Sequence, residues 1–356
     1  MSAPVFIVGT GRCGSTLLSQ CLSAHPDILS LSETLVFATD LGGRIAEAFP
    51  EGDVDGETMW SILGRAHPRQ SLMLRHDVCM EEALYRPGPG RRFTAESGVP
   101  ALAVTTLPHL SPDPEALLDR LEPEIRGLSR APVGVQYARI FNALRDQVGA
   151  RLWVERSGGS LRVVRRLRQH FPDARFVHIV RDGRDTALSM SRHRGFRMAL
   201  IAAQLTEILG VDPFENRDRR FVDDVPDDLV RYLPERFDAS AFASEAVPLP
   251  LCGYYWAGEI AAGLVDLQGL GTERLLTLHY EDLLTAPHDT LSQLFGFILE
   301  RPATAQMDPR IEALAGLIRR PTSDFRALPG ATLHALERAC RPGFEAIAAA
   351  TGRVAA

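Results

Sequence analysis

The sequence predicts an α/β fold: a parallel sheet flanked by helices on both faces, with two largely irregular or helical insertions. Three observations predict it. Short apolar runs of strand length alternate with helical stretches of about ten residues, the pattern of parallel βαβ units. The first run passes straight into a glycine-rich turn and a helix, "FIVGTGRCGSTLL" at residues 6–18. A second strand-turn-helix, "RFVHIVRDGRDTALSMSRH" at residues 175–193, repeats that arrangement far downstream.

Each element follows from local signals. "PVFIVG" (4–9) reads as a short buried strand. Ser15 to Ala24 reads as a helix, which "HPD" ends because Pro26 disfavours helix in the residue before it. "DILSLSE" (27–33) is a second strand, and from Thr34 to about Leu84 the chain reads as mostly helical. "YRPGPGRR" breaks that pattern, and Pro and Gly recur to Pro132, so an irregular cover over the core is expected there. Regularity returns with the strand "RLWVER" (151–156), the helix "SLRVVRRLRQHF" (160–171), the strand "RFVHIV" (175–180) and a helix from about Asp185 to Arg192. Arg162, Arg165, Arg166 and Arg168 read as a solvated helix face. Residues 195–250, rich in Asp, Arg and Pro, form a second insertion. "GYYWAGEI" heads a helix in which Trp256 reads as core. "RLLTLHYEDL" and a helix from about Pro287 to Leu299 close the core, and a helical tail interrupted by "RRPTSDFRALPG" follows. The expected organisation is one domain, residues 1–356, with insertions at about 85–132 and 195–250.

Bulk properties narrow the function. The formal charge of −6 argues against a nucleic-acid binder, which would more often be basic. Lysine is absent, so all 39 basic residues are arginine, and any cationic catalyst other than a protonated His must be an Arg. Cys13, Cys21, Cys79, Cys252 and Cys340 are odd in number and lack C-x-x-C spacing, which suggests neither a disulfide framework nor a metal site. No apolar run approaches the roughly 18 residues that span a bilayer. The first strand begins too early for a signal peptide, so a cytoplasmic protein is expected.

The opening loop admits three ligands. Gly9, Gly11 and Gly14 spell G-x-G-x-x-G, and Glu33 closes a possible second strand about twenty residues on, as in a nicotinamide-dependent oxidoreductase. A nucleotide triphosphatase requires a lysine just before the Ser/Thr of the loop; Ser15 stands there, and no lysine exists to replace it. The third reading keeps a P-loop-like turn and changes the anion. Free N–H groups and the positive end of the helix, close approach at Gly11 and Gly14, the Ser15 and Thr16 hydroxyls and the charge of Arg12 suit a 5′-phosphate without a metal.

In the second motif Arg181 ends a strand, Gly183 permits a sharp turn, and Ser189 lies on the following helix, so both can converge on a compact dianion. Two such sites on neighbouring strand ends suit a nucleotide phosphorylated at both its 5′ and 3′ positions. The pair resembles the sulfotransferase superfamily that uses 3′-phosphoadenosine-5′-phosphosulfate (PAPS). "GTGRCGSTLL" is similar to its 5′-phosphosulfate loop, "IVRDGRDTALSMSRH" to its 3′-phosphate motif, and "LTLHYEDLLTAP" to its R-Y-E-D-L segment. Arg12, where the cytosolic branch has Lys, brings the chain closer to the tyrosylprotein and carbohydrate-like branches. The cytosolic branch's long C-terminal G-x-x-G-x-W-K segment is also missing.

The resemblance implies PAPS as sulfuryl donor and 3′-phosphoadenosine-5′-phosphate (PAP) as product. It assigns the 5′-phosphate to the loop, with Gly11, Arg12, Cys13, Gly14, Ser15 and Thr16, the 3′-phosphate to Arg181 and Ser189, and the adenine region to Tyr280. It places Arg156 where family members have a Lys that touches the transferring group, and makes Thr322, Ser323 and Arg326 secondary donor contacts. For the base, Glu33 in "AHPDILSLSET" resembles the tyrosylprotein branch, and His109 in "TTLPHL" is the runner-up because the cytosolic branch uses His. Arg12 and Arg156 can stabilise charge but cannot donate protons. A nucleotide-binding protein without turnover stays open beside the oxidoreductase. The acceptor is a small-molecule, lipid, sugar or peptide hydroxyl, or an amine, with both insertions expected to shape its pocket; oligomeric state is open.

Overall fold

The structure, a computed structural model, describes residues 3–39, 44–78, 80, 82–216, 222–304, 308–319 and 324–352. Its central feature is a five-stranded sheet of β1 (Val5–Val8), β2 (Ile28–Ser32), β3 (Leu152–Arg156), β4 (Arg175–Val180) and β5 (Leu275–His279). The order is β2-β3-β1-β4-β5, and every neighbouring pair is parallel. The register sets Phe6 beside Glu155 and Phe176, and Ile7 beside Arg156 and Val177. Successive side chains point to opposite faces. Every residue of β1, β2 and β4 is nevertheless buried, so both faces are covered, as parallel strands require.

Among the helices of this unit are α1 (Ser15–Ser23), α2 (Val133–Val148), α3 (Val164–His170), α4 (Gly183–Arg192), α5 (Leu249–Leu267), α6 (Tyr280–Thr285), α7 (Pro287–Leu299) and α8 (Gly330–Thr351). One face of the sheet packs Val5, Ile7, Val154, Val177 and Ile179 against Leu18 and Leu22 of α1 and Leu291, Leu294 and Phe295 of α7. The other is aromatic. The Phe6 ring lies 5.1 Å from Phe171 and 5.7 Å from Trp153, and Phe141 of α2 closes on Trp153 at 5.0 Å. Trp256 is fully buried and packs on Phe344 of α8 at 4.9 Å, as a core residue.

The chain divides into two compact units. The sheet unit comprises Met1–Val54, Arg130–Ser189 and Leu249–Ala356; the other comprises Asp55–Ser129 and Met190–Pro248. The second unit is helical around Leu72, Met73, Met198, Ile201, Leu205, Tyr232, Leu233 and Phe242. Its longest helices are Pro114–Arg126 and Arg194–Leu209. Among the described residues no helix is long and apolar enough to cross a membrane.

Three local expectations change. Residues 85–132 are more ordered than their Pro and Gly content implies. Pro114 sits at the first helical position, where its missing N–H is harmless, and the Asp113 carboxylate caps that helix by accepting from Ala116 N at 3.0 Å. The sequence reading assigns no element between Pro132 and Arg151, where the structure has α2. A side-chain carbon added to Gly134 would overlap the His170 carbonyl, so Gly134 serves a close helix approach. Lastly, the arginine row is not uniformly solvated: Arg162 pairs with Glu259 at 2.8 Å, and Arg168 donates to the Gln268 carbonyl at 3.0 Å.

Candidate functional site

Five parallel strands share one C-terminal edge, where open α/β sheets bind ligands. In sheet order that edge carries Glu33 after β2, Arg156 at the end of β3, the glycine loop after β1, Arg181 after β4 and Tyr280 after β5.

The loop enters α1 through two left-handed glycines, Gly11 (φ 76°) and Gly14 (φ 97°), with Arg12 also at positive φ (55°). No side chain caps α1 and its first turn holds no acid, so its leading N–H groups are left for an anion. Ser15 is buried and Thr16 exposed in that turn. Cys13 departs from the expected set. Its thiol is buried against Gly9 and pushed up by burial, so only its backbone is available to a ligand.

The two motifs expected to hold separate phosphates touch each other. Arg12 Nε donates to Ser189 Oγ at 3.1 Å, and Arg181 Nη1 donates to the Arg12 carbonyl at 3.3 Å. The Arg181 guanidinium lies 4.7 Å from the centre of the Tyr280 ring, and its Nε and Nη2 are buried with no partner. Buried charged donors without an acceptor are costly, and a phosphate would satisfy them. The turn after Arg181 is held by Asp182, whose carboxylate accepts from Arg184 N at 2.8 Å and whose own N–H donates to Glu281 at 2.9 Å. Burial pushes the Glu281 carboxyl up.

Glu33 and Arg156 form a buried ion pair, with side chains 5% and 3% exposed. Arg156 Nη1 donates to Glu33 Oε1 and Nη2 donates to Ser32 Oγ at 2.6 Å, while Gly158 N donates to Glu33 Oε2 at 2.9 Å. The Glu33 backbone is left-handed (φ 59°) and its N–H donates to the Arg156 carbonyl at 2.8 Å. A second tie follows: Leu35 N donates to Ser157 Oγ at 2.8 Å, and Ser157 Oγ donates to Glu155 Oε1 at 2.6 Å. Glu155 is fully buried, its Oε2 has no partner, and burial raises its carboxyl from 4.5 to about 7. Sequence reasoning missed Ser32, Glu155, Ser157 and Gly158; the available signal was polar and glycine residues clustered at the end of a buried strand.

The remaining candidates are His109, Arg326, Thr322 and Ser323. His109 is exposed on the short helix Thr106–Leu110 of the second unit. Arg326 is exposed, pairs with Asp324 and lies over Phe325; Phe325 N donates to Asp185 Oδ1 at 3.1 Å, which ties this turn to α4. Thr322, Ser323 and Cys79 lie outside the described residues. His178 is core: burial lowers it to about 4, and both its ring nitrogens lack partners. Among the described residues no group of three or more His, Cys, Asp or Glu could hold a metal ion.

An uncapped glycine turn and a strand-end arginine with unmet donors give the parallel sheet an edge that could hold anions. Residues 4–237 match the sulfotransferase family, and the chain belongs to it. Among solved structures, it is similar to the sulfotransferase domain from the curacin biosynthetic pathway, at 16% identity over 94% of this chain and 82% of that one, with a TM-score of 0.44. It is also similar to a sulfotransferase from Alicyclobacillus acidocaldarius, at 16% identity over 100% and 98% of the two chains, with a TM-score of 0.42. A third is a sulfotransferase from Mycobacterium avium, at 14% identity over 95% and 75%, also with a TM-score of 0.42. No curated protein matches the chain. Membership of the sulfotransferase family sets the oxidoreductase alternative aside.

Proposed function

We propose that this sulfotransferase takes its sulfuryl group from PAPS and passes it to a hydroxyl or amine acceptor: a small molecule, lipid, sugar or peptide. Arg12 and the loop from Gly11 to Thr16 hold the 5′ end of the donor, Arg181 and Ser189 the 3′-phosphate, and Tyr280 lies with the donor site. The observation that carries this reading is Arg181, whose two unpartnered buried nitrogens lie beside the glycine loop. Arg12 and Glu33 also favour the tyrosylprotein-like branch over the cytosolic one.

The donor supplies a sulfuryl group on a phosphate leaving group, and transfer of this kind leaves the protein mainly positioning and electrostatic work. Glu33 orients the acceptor hydroxyl and takes its proton as the new O–S bond forms. Each of its oxygens keeps a free lone pair beyond its present partner. Arg156 holds that carboxylate and sets positive charge near the transferring group. Arg12 offsets the negative charge that the departing phosphate gains as its bond to sulfur breaks. Neither arginine loses its proton, so both act by charge alone.

The test is thermal unfolding with PAP, 5′-AMP, ATP and NAD, followed by sulfuryl-transfer assays. A ligand that binds only the native state adds about 2.7 kcal/mol at a hundred times its Kd. PAP is expected to stabilise the protein most, and Arg181→Ala to remove that advantage. Preferential stabilisation by NAD, or by no nucleotide, overturns the donor assignment, and binding without turnover on any acceptor overturns the catalytic one.

A further inference from the structure

Tyr280 occupies an unusual place between the two halves of the anion edge. It opens α6 directly after β5, is 8% exposed, and belongs to the core cluster that also holds Cys13 and Ile179. Gly14 packs so closely on it that a side-chain carbon added to Gly14 would overlap the ring at Cδ2 and Cε2. The guanidinium of Arg181 lies over the same ring, 4.7 Å from its centre. One rigid side chain therefore touches the pivot of the 5′ loop and the cation of the 3′ motif.

We propose that Tyr280 is a positioning residue that fixes the distance between the two anion subsites, so that the site favours a nucleotide carrying phosphates at both 5′ and 3′. This inference rests on the donor assignment above and deepens it: the ring acts on phosphate spacing through Gly14 and Arg181 instead of through the adenine. A guanidinium held over an aromatic ring is attracted to its face and loses freedom to swing. Its Nη1 is already tied to the Arg12 carbonyl, so Nε and Nη2 remain aimed for an incoming anion. Gly14 sets the start of α1, so the same ring also fixes where the loop's N–H groups point. Removing the ring frees the guanidinium and the turn together.

The readout is a ratio of affinities. Isothermal titration with PAP and with 5′-AMP, both of which carry adenine, gives the preference that the 3′-phosphate creates. In Tyr280→Leu that preference is expected to fall roughly tenfold or more toward that of Arg181→Ala, while Tyr280→Phe keeps it within about twofold. Gly14→Ala reaches the same ring without removing it, and is expected to reduce the ratio as well. That second variant keeps the inference testable if Tyr280→Leu folds poorly. A role in adenine contact would weaken both ligands equally and leave the ratio unchanged; that result, with the wild-type preference intact, overturns the inference alone. A wild type without preference for PAP overturns the donor assignment, and this inference with it.

Discussion

Arg12 and Glu33 stand at positive φ, a conformation that costs a residue with a side chain roughly 1–2 kcal/mol. Among the described residues only Asp77 and Glu300 share it without being glycine. At Glu33 the strain is held by bonds on both sides: its N–H to Arg156, and Leu35 N to Ser157, which is anchored in turn by Glu155. Such over-determined strain is characteristic of functional positions. Glu33→Gln keeps the shape of the side chain and removes the proposed base. Turnover is expected to fall about 10²–10⁴-fold, the usual worth of a positioned acid or base. PAP affinity should change little, because the proposed donor contacts lie on other strands. Titration of PAP beside a transfer assay checks both, and equal losses in binding and turnover would make Glu33 a structural residue only.

At the scale of elements, the aromatic face of the sheet holds two buried titratable groups with unpartnered polar atoms, Glu155 of β3 (Oε2) and His178 of β4 (both ring nitrogens), on either side of β1. Burial raises Glu155 from 4.5 to about 7 and lowers His178 from 6.5 to about 4. Between pH 4.5 and 6.5 the folded state therefore carries a proton on Glu155 that the unfolded chain has lost, and stability from this group falls as pH rises. Over the same range the unfolded chain carries a proton on His178 that the folded state lacks, and stability from that group rises with pH. The two slopes oppose each other. Relative to wild type, Glu155→Gln should tilt unfolding free energy upward with pH, and His178→Leu downward, each by up to about 1.4 kcal/mol per pH unit. Denaturant unfolding across that window checks both signs. The same elements show what a sequence can disclose. β1 and β4 were legible because strands buried on both faces read as largely apolar runs. The anion motifs were legible because loop glycines, arginines and hydroxyls sit within a few positions of one another. Helix α2 was not: it follows directly on the Pro- and Gly-rich stretch to Pro132, and the close approach of Gly134 to His170 exists only in the folded chain. Glu33 and Arg156 could each be nominated, yet 123 positions separate them, and their bond depends on β2 pairing with β3.

At the scale of the whole molecule, the C-terminal edge of the sheet is assembled from distant parts of the sheet unit, from Gly11 to Tyr280, with β1 seated between β3 and β4. The segments Asp55–Ser129 and Met190–Pro248 interrupt that unit along the chain. Parallel pairings across such separations form slowly, because loop closure must precede the contacts that reward it. Helical signal should therefore return early in refolding, while PAP binding returns only with the last phase, once β5 has joined β4 and brought Tyr280 under the loop. Stopped-flow refolding followed by far-UV dichroism and by PAP binding separates the two, and a common rate for both would show that the edge forms with the helices. A late edge implies that no partly folded chain is competent to capture the donor, so nucleotide capture is itself a clock for the completion of folding.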